Sequence, residues 1–141
     1  MFKGKKVLVL GLAKSGKAAV ELLKFMHADI TINESKKKED IPEYDTYVSE
    51  GIEMVCGGQP DELFERDFDF VVKNPGINYH APFILRLKER GIPVYTEIEL
   101  GYKVAKKQHY IAVTGTNGKT TTVTLIYEIL KAAGRKAHIC G

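Results

Sequence analysis

The sequence is poor in three features, each of which would have assigned it to a class. Only two cysteines occur, Cys56 and Cys140. They fit no CxxC or Cys/His spacing, so a disulfide framework and a thiolate zinc site are set aside in favour of incidental thiols in a reducing compartment. No apolar run approaches the ~20 residues needed to cross a bilayer, and Met1 to Lys6 leads straight into a strand-like run instead of a signal-peptide core. A cytoplasmic location is expected. Charge of one sign is the third absence. The 21 lysines and arginines against 18 acids leave +3, dispersed along the chain, which gives no support to nucleic acid as a partner. The run Lys36–Lys38 reads as a solvated loop. There is no internal repeat and no low-complexity segment.

The 141 residues, 44% hydrophobic and 28% charged, have an ordinary globular composition and length for one core or slightly more. "KKVLVLGLAKSGKAAVELLKFMHADITINES" runs from an unbroken apolar strand through a glycine turn into helical spacing at Ala18, Ala19, Leu22, Leu23 and Met26, then into alternation at Ile30 and Ile32. A strand with little alternation is expected where helices cover both faces of a parallel sheet. "IEMVC", "FDFVVKNPG" and "IPVYT" read as further strands, with "DELFERD" and "PFILRLKERG" as helices between them. The fold class is therefore α/β, a Rossmann-like doubly wound parallel sheet over residues 1–97. Residues 98–141 read as the opening of a second domain: helical spacing in "EIELGYKVAKKQ", a strand in "HYIAVTG", a helix in "KTTTVTLIYEILKAAG" and a strand-like "KAHIC".

Two glycine-containing turns carry the chemistry. "GLAKSG" at Gly11–Gly16 has the outer glycines of GxGxxG, with Ala13 where a dinucleotide pyrophosphate makes its closest backbone approach. Glu34 follows at the distance expected of a ribose-binding carboxylate. A structural strand-to-helix turn and a looser nucleotide diphosphate site both remain open for this segment. "AVTGTNGKTTT" is close to the phosphate loop GxxxxGK[ST], in which backbone N–H groups cradle phosphates, the lysine reaches the β and γ phosphates and the hydroxyl binds Mg²⁺. Val113 stands at the first glycine, and Gly115 supplies backbone freedom that Val113 lacks. The bland alternative is a tight turn whose threonines cap a helix.

The segment "TGTNGKT" resembles the shortened phosphate loop of the Mur ligases, ATP-dependent amide-forming enzymes of peptidoglycan precursor synthesis, in which a glycine at the place of Val113 is not part of the pattern. "VLVLGLAKSG", "GGQPDEL", "VVKNPGI" and "GIPVYTEIEL" resemble the UDP-binding domain of the family's D-glutamate-adding branch, and the likeness covers essentially the whole chain. Ala13 departs from the glycine common there, which bears on diphosphate contact at that residue. The resemblance implies that residues 98–141 begin a P-loop ATPase domain. It also implies ATP and Mg²⁺ as cofactors, and a reaction in which UDP-N-acetylmuramoyl-L-alanine takes the γ-phosphoryl group to give an acyl phosphate that the amine of D-glutamate attacks.

By the same resemblance, Lys119 is the catalytic cation on the β and γ phosphates and Thr120 the metal ligand. Gly115, Thr116, Asn117, Gly118 and Thr121 line the phosphates. Lys14, Ser15 and Gly16 meet the diphosphate of the UDP substrate, Glu34 and Ser35 its uracil region, and Asn74, Pro75 and Gly76 pass close to the nucleotide. Further metal-site residues and an amine-binding domain are implied beyond Gly141, with the chain as an N-terminal third that is inactive alone and a monomeric parent enzyme without membrane partners. Three readings compete with this one: another member of the same family, a nicotinamide-dependent oxidoreductase domain, and a non-catalytic nucleotide-binding module.

Overall fold

The computed structural model describes residues 2–105 and 108–139. The chain divides into two compact units, Met1–Lys106 and Lys107–Gly141. In the first, β1 (Lys6–Leu10), β2 (Asp29–Glu34), β3 (Glu53–Cys56), β4 (Phe70–Lys73) and β5 (Val94–Thr96) form one sheet. Between and after them run α1 (Lys14–Phe25), α2 (Tyr44–Ser49), α3 (Asp61–Phe64), α4 (Pro82–Glu89) and α5 (Glu97–Val104). The strand order is β3-β2-β1-β4-β5 and every neighbouring pair is parallel. This is the doubly wound sheet expected from the alternation of elements.

Period-two alternation sorts each central strand between two cores. Val7 and Val9 of β1, Ile30 and Ile32 of β2 and Phe70 and Val72 of β4 pack on one side with Val20 and Leu23 of α1, Tyr47 of α2 and Leu100 of α5. Leu8, Leu10 and Val71 face the other side, against Leu63 and Phe64 of α3 and Ile84 and Leu87 of α4. With both faces covered, β1 reads after the exposed Lys6 as an unbroken apolar run, because none of its residues 7–10 faces water.

Two elements depart from the sequence reading. The spacing of "EIELGYKVAKKQ" assigns that helix to the second unit, yet α5 packs on the first. Leu100 is fully buried in the first core, and a capping box from Thr96 at the end of β5 to Glu99 fixes the helix start. Tertiary burial outweighs position in the chain here. The second departure lies in the other unit, where α6 (Lys119–Ala132) forms as expected. Residues 109–115 and 135–139 there form no strand. A strand is defined by its hydrogen-bonded neighbour, and among the described residues of this unit none pairs with either segment; Cys140 of "KAHIC" lies outside them.

The two units thus differ in how much apolar surface they bury. Phe64 is fully buried, whereas Ile129 of α6 is 67% exposed. Phe64→Ala should cost about 3–5 kcal/mol and Ile129→Ala no more than about 0.5 kcal/mol. Denaturant unfolding followed by circular dichroism measures both, and equal costs would contradict the packing described.

Candidate functional site

The central strands β1 and β4 send their connections to opposite faces of the sheet, so the crevice beyond their carboxyl ends is the place where such a fold takes a ligand. A cleft of about 250 Å³ lies there, lined by residues at or beyond the ends of β1, β2, β3 and β4, among them Ala13, Glu34, Ser35, Gln59 and Asn74. The glycine turn forms one wall. Gly16 is buried in the first turn of α1, and a Cβ on it would stand 2.0 Å from the Gly11 carbonyl oxygen. Only glycine lets the helix start so close to the strand end. The first backbone bond of α1 runs from Lys17 N–H to the Ala13 carbonyl (3.0 Å). The amides of Lys14, Ser15 and Gly16 therefore have no acceptor in the helical ladder, which leaves an anion-binding helix start beside the cleft.

Glu34 holds this wall in place. Its Oε2 accepts from Leu12 N–H at 2.6 Å, and Oε1 accepts from the Ser35 hydroxyl at 3.1 Å and from Lys36 N–H at 3.2 Å. The residue is 8% exposed. Burial pushes its pKa up, but the bonds from Leu12, Lys36 and Ser35, with the Lys36 charge, outweigh it and hold the carboxyl below the usual glutamate range. The position expected for a ribose-binding carboxylate is thus occupied by a carboxylate committed to the protein's own backbone.

The third wall is the turn after β4. Asn74 N–H donates to the Leu10 carbonyl (2.9 Å), its Nδ2 donates to Ser15 Oγ (3.3 Å), and its Oδ1 accepts from Gly76 N–H (2.9 Å). Ser15 and Asn74, 59 residues apart in sequence, are thereby brought together. Ser35 and Lys14 are exposed, as are Pro75 and Gly76. Sequence reasoning did not single out Leu12, Asn33, Lys36, Gln59 or Ile77, all of which line the cleft. Asn33 carried a usable signal, being a polar residue at the end of an apolar strand. Its buried amide donates to the Val55 and Gly58 carbonyls (3.1 and 2.7 Å), which ties the loop bearing Gln59 to β2.

In the second unit the phosphate-loop residues lie together at the start of α6. Gly118 is the N-cap with φ of 76°, a left-handed conformation that favours glycine. Thr122 N–H donates to the Gly118 carbonyl at 2.9 Å, so the amides of Lys119, Thr120 and Thr121 precede the helical ladder and are free for an anion. Lys119 Nζ arches back over the loop, donating to the carbonyls of Gly115 and Thr116. Those donors fit a phosphate group. Thr120, the expected metal ligand, stands in the first turn of α6, and no group of three or more His, Cys, Asp or Glu suited to a metal exists among the described residues. Nor is any described helix long and apolar enough to cross a membrane.

Both units match domains of one protein family. Residues 5–96 match the Mur ligase MurD-like N-terminal domain and residues 113–141 the Mur ligase middle domain, so the chain belongs to the Mur ligase family. Among its relatives, the UDP-N-acetylmuramoylalanine–D-glutamate ligase of Streptococcus agalactiae is 47% identical over 140 residues, 99% of this chain and 31% of that protein. The protein of the same name from Streptococcus pneumoniae is 49% identical over the same shares. The chain thus spans about a third of the length of these curated relatives. A pseudomurein peptide ligase type C from Methanothermus fervidus shares the architecture at a TM-score of 0.59 and 28% identity, over 93% of this chain and 27% of that one.

The role of Glu34 has a pH signature. With its folded pKa held below the ordinary value of 4.5, its stabilisation is fully present above that value and is lost as pH falls through the folded pKa. Glu34→Gln should therefore cost about 1–3 kcal/mol at pH 7, and the gap to wild type should narrow in acid below the ordinary value. Chemical unfolding at a series of pH values measures it; a gap independent of pH would exclude the carboxylate as the holding group.

Proposed function

We propose that the chain supplies the UDP-substrate cleft and the ATP phosphate loop of a ligase that joins D-glutamate to UDP-N-acetylmuramoyl-L-alanine in peptidoglycan precursor synthesis. The observation that carries this reading is the cleft itself. Free helix-start amides at Lys14–Gly16 stand beside Ser35, Lys36 and the Asn74–Gly76 turn, while the one carboxylate at the end of β2 is turned inward. A dinucleotide enzyme needs that carboxylate for a ribose hydroxyl; a UDP group needs only the anion-binding amides and polar groups for the base. In this reading Lys14, Ser15 and Gly16 take the diphosphate. Ser35 and the backbone beside it take the uracil region, with Glu34 acting by holding that segment, and Asn74, Pro75 and Gly76 close over the nucleotide.

The second half of the proposal makes the second unit, Lys107–Gly141, the start of an ATP-binding domain, with the unit before it as the UDP-binding one. ATP supplies the phosphoryl group that activates the substrate carboxylate. Gly115, Thr116, Asn117, Gly118 and Thr121 hold its phosphates through backbone and hydroxyl donors. Lys119 exchanges its loop carbonyls for phosphate oxygens and neutralises charge there, and Thr120 offers one ligand to Mg²⁺. The relatives' names support D-glutamate as the second substrate. A monomeric, cytoplasmic enzyme is part of the same reading.

Calorimetry on the chain should give UDP-sugar binding at least tenfold tighter than NAD binding, and tighter NAD binding would overturn the substrate reading. In a ligase carrying this segment, Lys119→Ala should lower turnover by orders of magnitude and leave the affinity for the UDP substrate within about twofold, since the two ligands use separate turns. Turnover at the wild-type level under saturating ATP would remove Lys119 from its assigned role.

A further inference from the structure

Lys73, the last residue of β4, is 1% exposed. On that side of the strand it succeeds Val71, which faces the core of α3 and α4, and an aliphatic residue there would satisfy the packing. A lysine is costly instead, because a buried ammonium loses its hydration. Burial accordingly lowers its pKa, with Lys88 adding to the effect and Glu97 and Glu99 opposing it. What the cation receives in return is specific. Nζ donates to the Ile77 carbonyl at 2.8 Å and to the Asn74 carbonyl at 3.3 Å, and it lies 4.1 Å from the centroid of the Tyr79 ring. Two carbonyls and one aromatic face account for its three N–H donors. Lys88 of α4 reaches the same ring, 4.7 Å from its centroid.

All three partners belong to the segment that follows β4 and forms the third wall of the cleft. The turn is closed by Ile77 N–H donating to the Asn74 carbonyl (3.0 Å), the same oxygen that the ammonium approaches. One cation therefore bridges both ends of the turn from beneath. Above it, Asn74 presents its amide to Ser15 and its Oδ1 to Gly76 N–H. Charge-assisted bonds of this kind are stronger than neutral ones and set where Asn74 and Gly76 stand.

We propose that Lys73 is a positioning residue of the nucleotide cleft, its buried ammonium fixing the turn at residues 74–77 so that Asn74 meets Ser15 beside the diphosphate-binding helix start. The proposal rests on the reading of that cleft as a UDP site. Lys73 touches no ligand; it acts through the turn.

The test uses Lys73→Met, which keeps the apolar stem and removes the donors, and Tyr79→Leu, which strips the ring from the ammonium at a partly exposed position and should not impair folding. Two quantities are measured on each: amide hydrogen exchange by NMR without ligand, and the Kd for UDP by calorimetry. Lys73→Met should speed exchange at Gly76 and Ile77 at least tenfold, leave the β1 amides Val7–Leu10 as in wild type, and weaken UDP binding at least tenfold. Tyr79→Leu should move the same quantities in the same direction by severalfold. If Lys73→Met does not fold, the outcome for Tyr79→Leu decides. Wild-type exchange at residues 76 and 77 together with UDP affinity within twofold would overturn the role of Lys73 while leaving the UDP reading intact. Failure of the wild-type chain to bind UDP would overturn that reading and the nucleotide role of Lys73 with it.

Discussion

The bond from Leu12 N–H to the Glu34 carboxylate is the constraint on which the cleft depends. Leu12 sits between the strand that carries the glycine turn and the helix that presents its free amides, so its backbone direction decides where those amides point. Without an acceptor its N–H would be a buried, unpaired donor beside the close approach of Gly16 to the Gly11 carbonyl. The carboxylate supplies that acceptor and, through its other oxygen, holds Ser35 and Lys36. A single side chain thereby sets two of the three walls.

The third wall follows the same logic with the sign reversed. At the end of β2 a buried anion is held by backbone donors; at the end of β4 a buried cation is held by backbone acceptors. Neither has an ion-pair partner of opposite charge at bonding distance among the described residues, so each spends its charge on shaping chain that faces the cleft. Charges placed in this way rigidify a site before ligand arrives, which lowers the ordering cost of binding.

Much of this was legible in the sequence, and what was not has physical reasons. The apolar run of β1, the glycine turn and the helix ending in Gly134 are local signals and formed as read. Glu34 was found by its spacing from the turn, but spacing gives a Cα position and not the direction of a carboxylate, so its inward commitment to Leu12 was invisible. The allegiance of α5 depended on where Leu100 is buried, a tertiary fact. Lys73 stands within "VVKNPG" as a polar residue at the end of an apolar strand, and sequence alone does not distinguish a buried lysine there from a solvated one. The strand character of "HYIAV" is the opposite case: the propensity is present and the pairing partner is not among the described residues.

The central claim is that the preorganised cleft of the first unit, and not the phosphate loop of the second, receives UDP. Amide chemical-shift mapping of the whole chain during titration with UDP tests it most directly. The account predicts perturbations concentrated at residues 12–16, 35–36 and 74–77, with residues 115–121 unchanged. Perturbations centred on residues 115–121, with the first set silent, would contradict it.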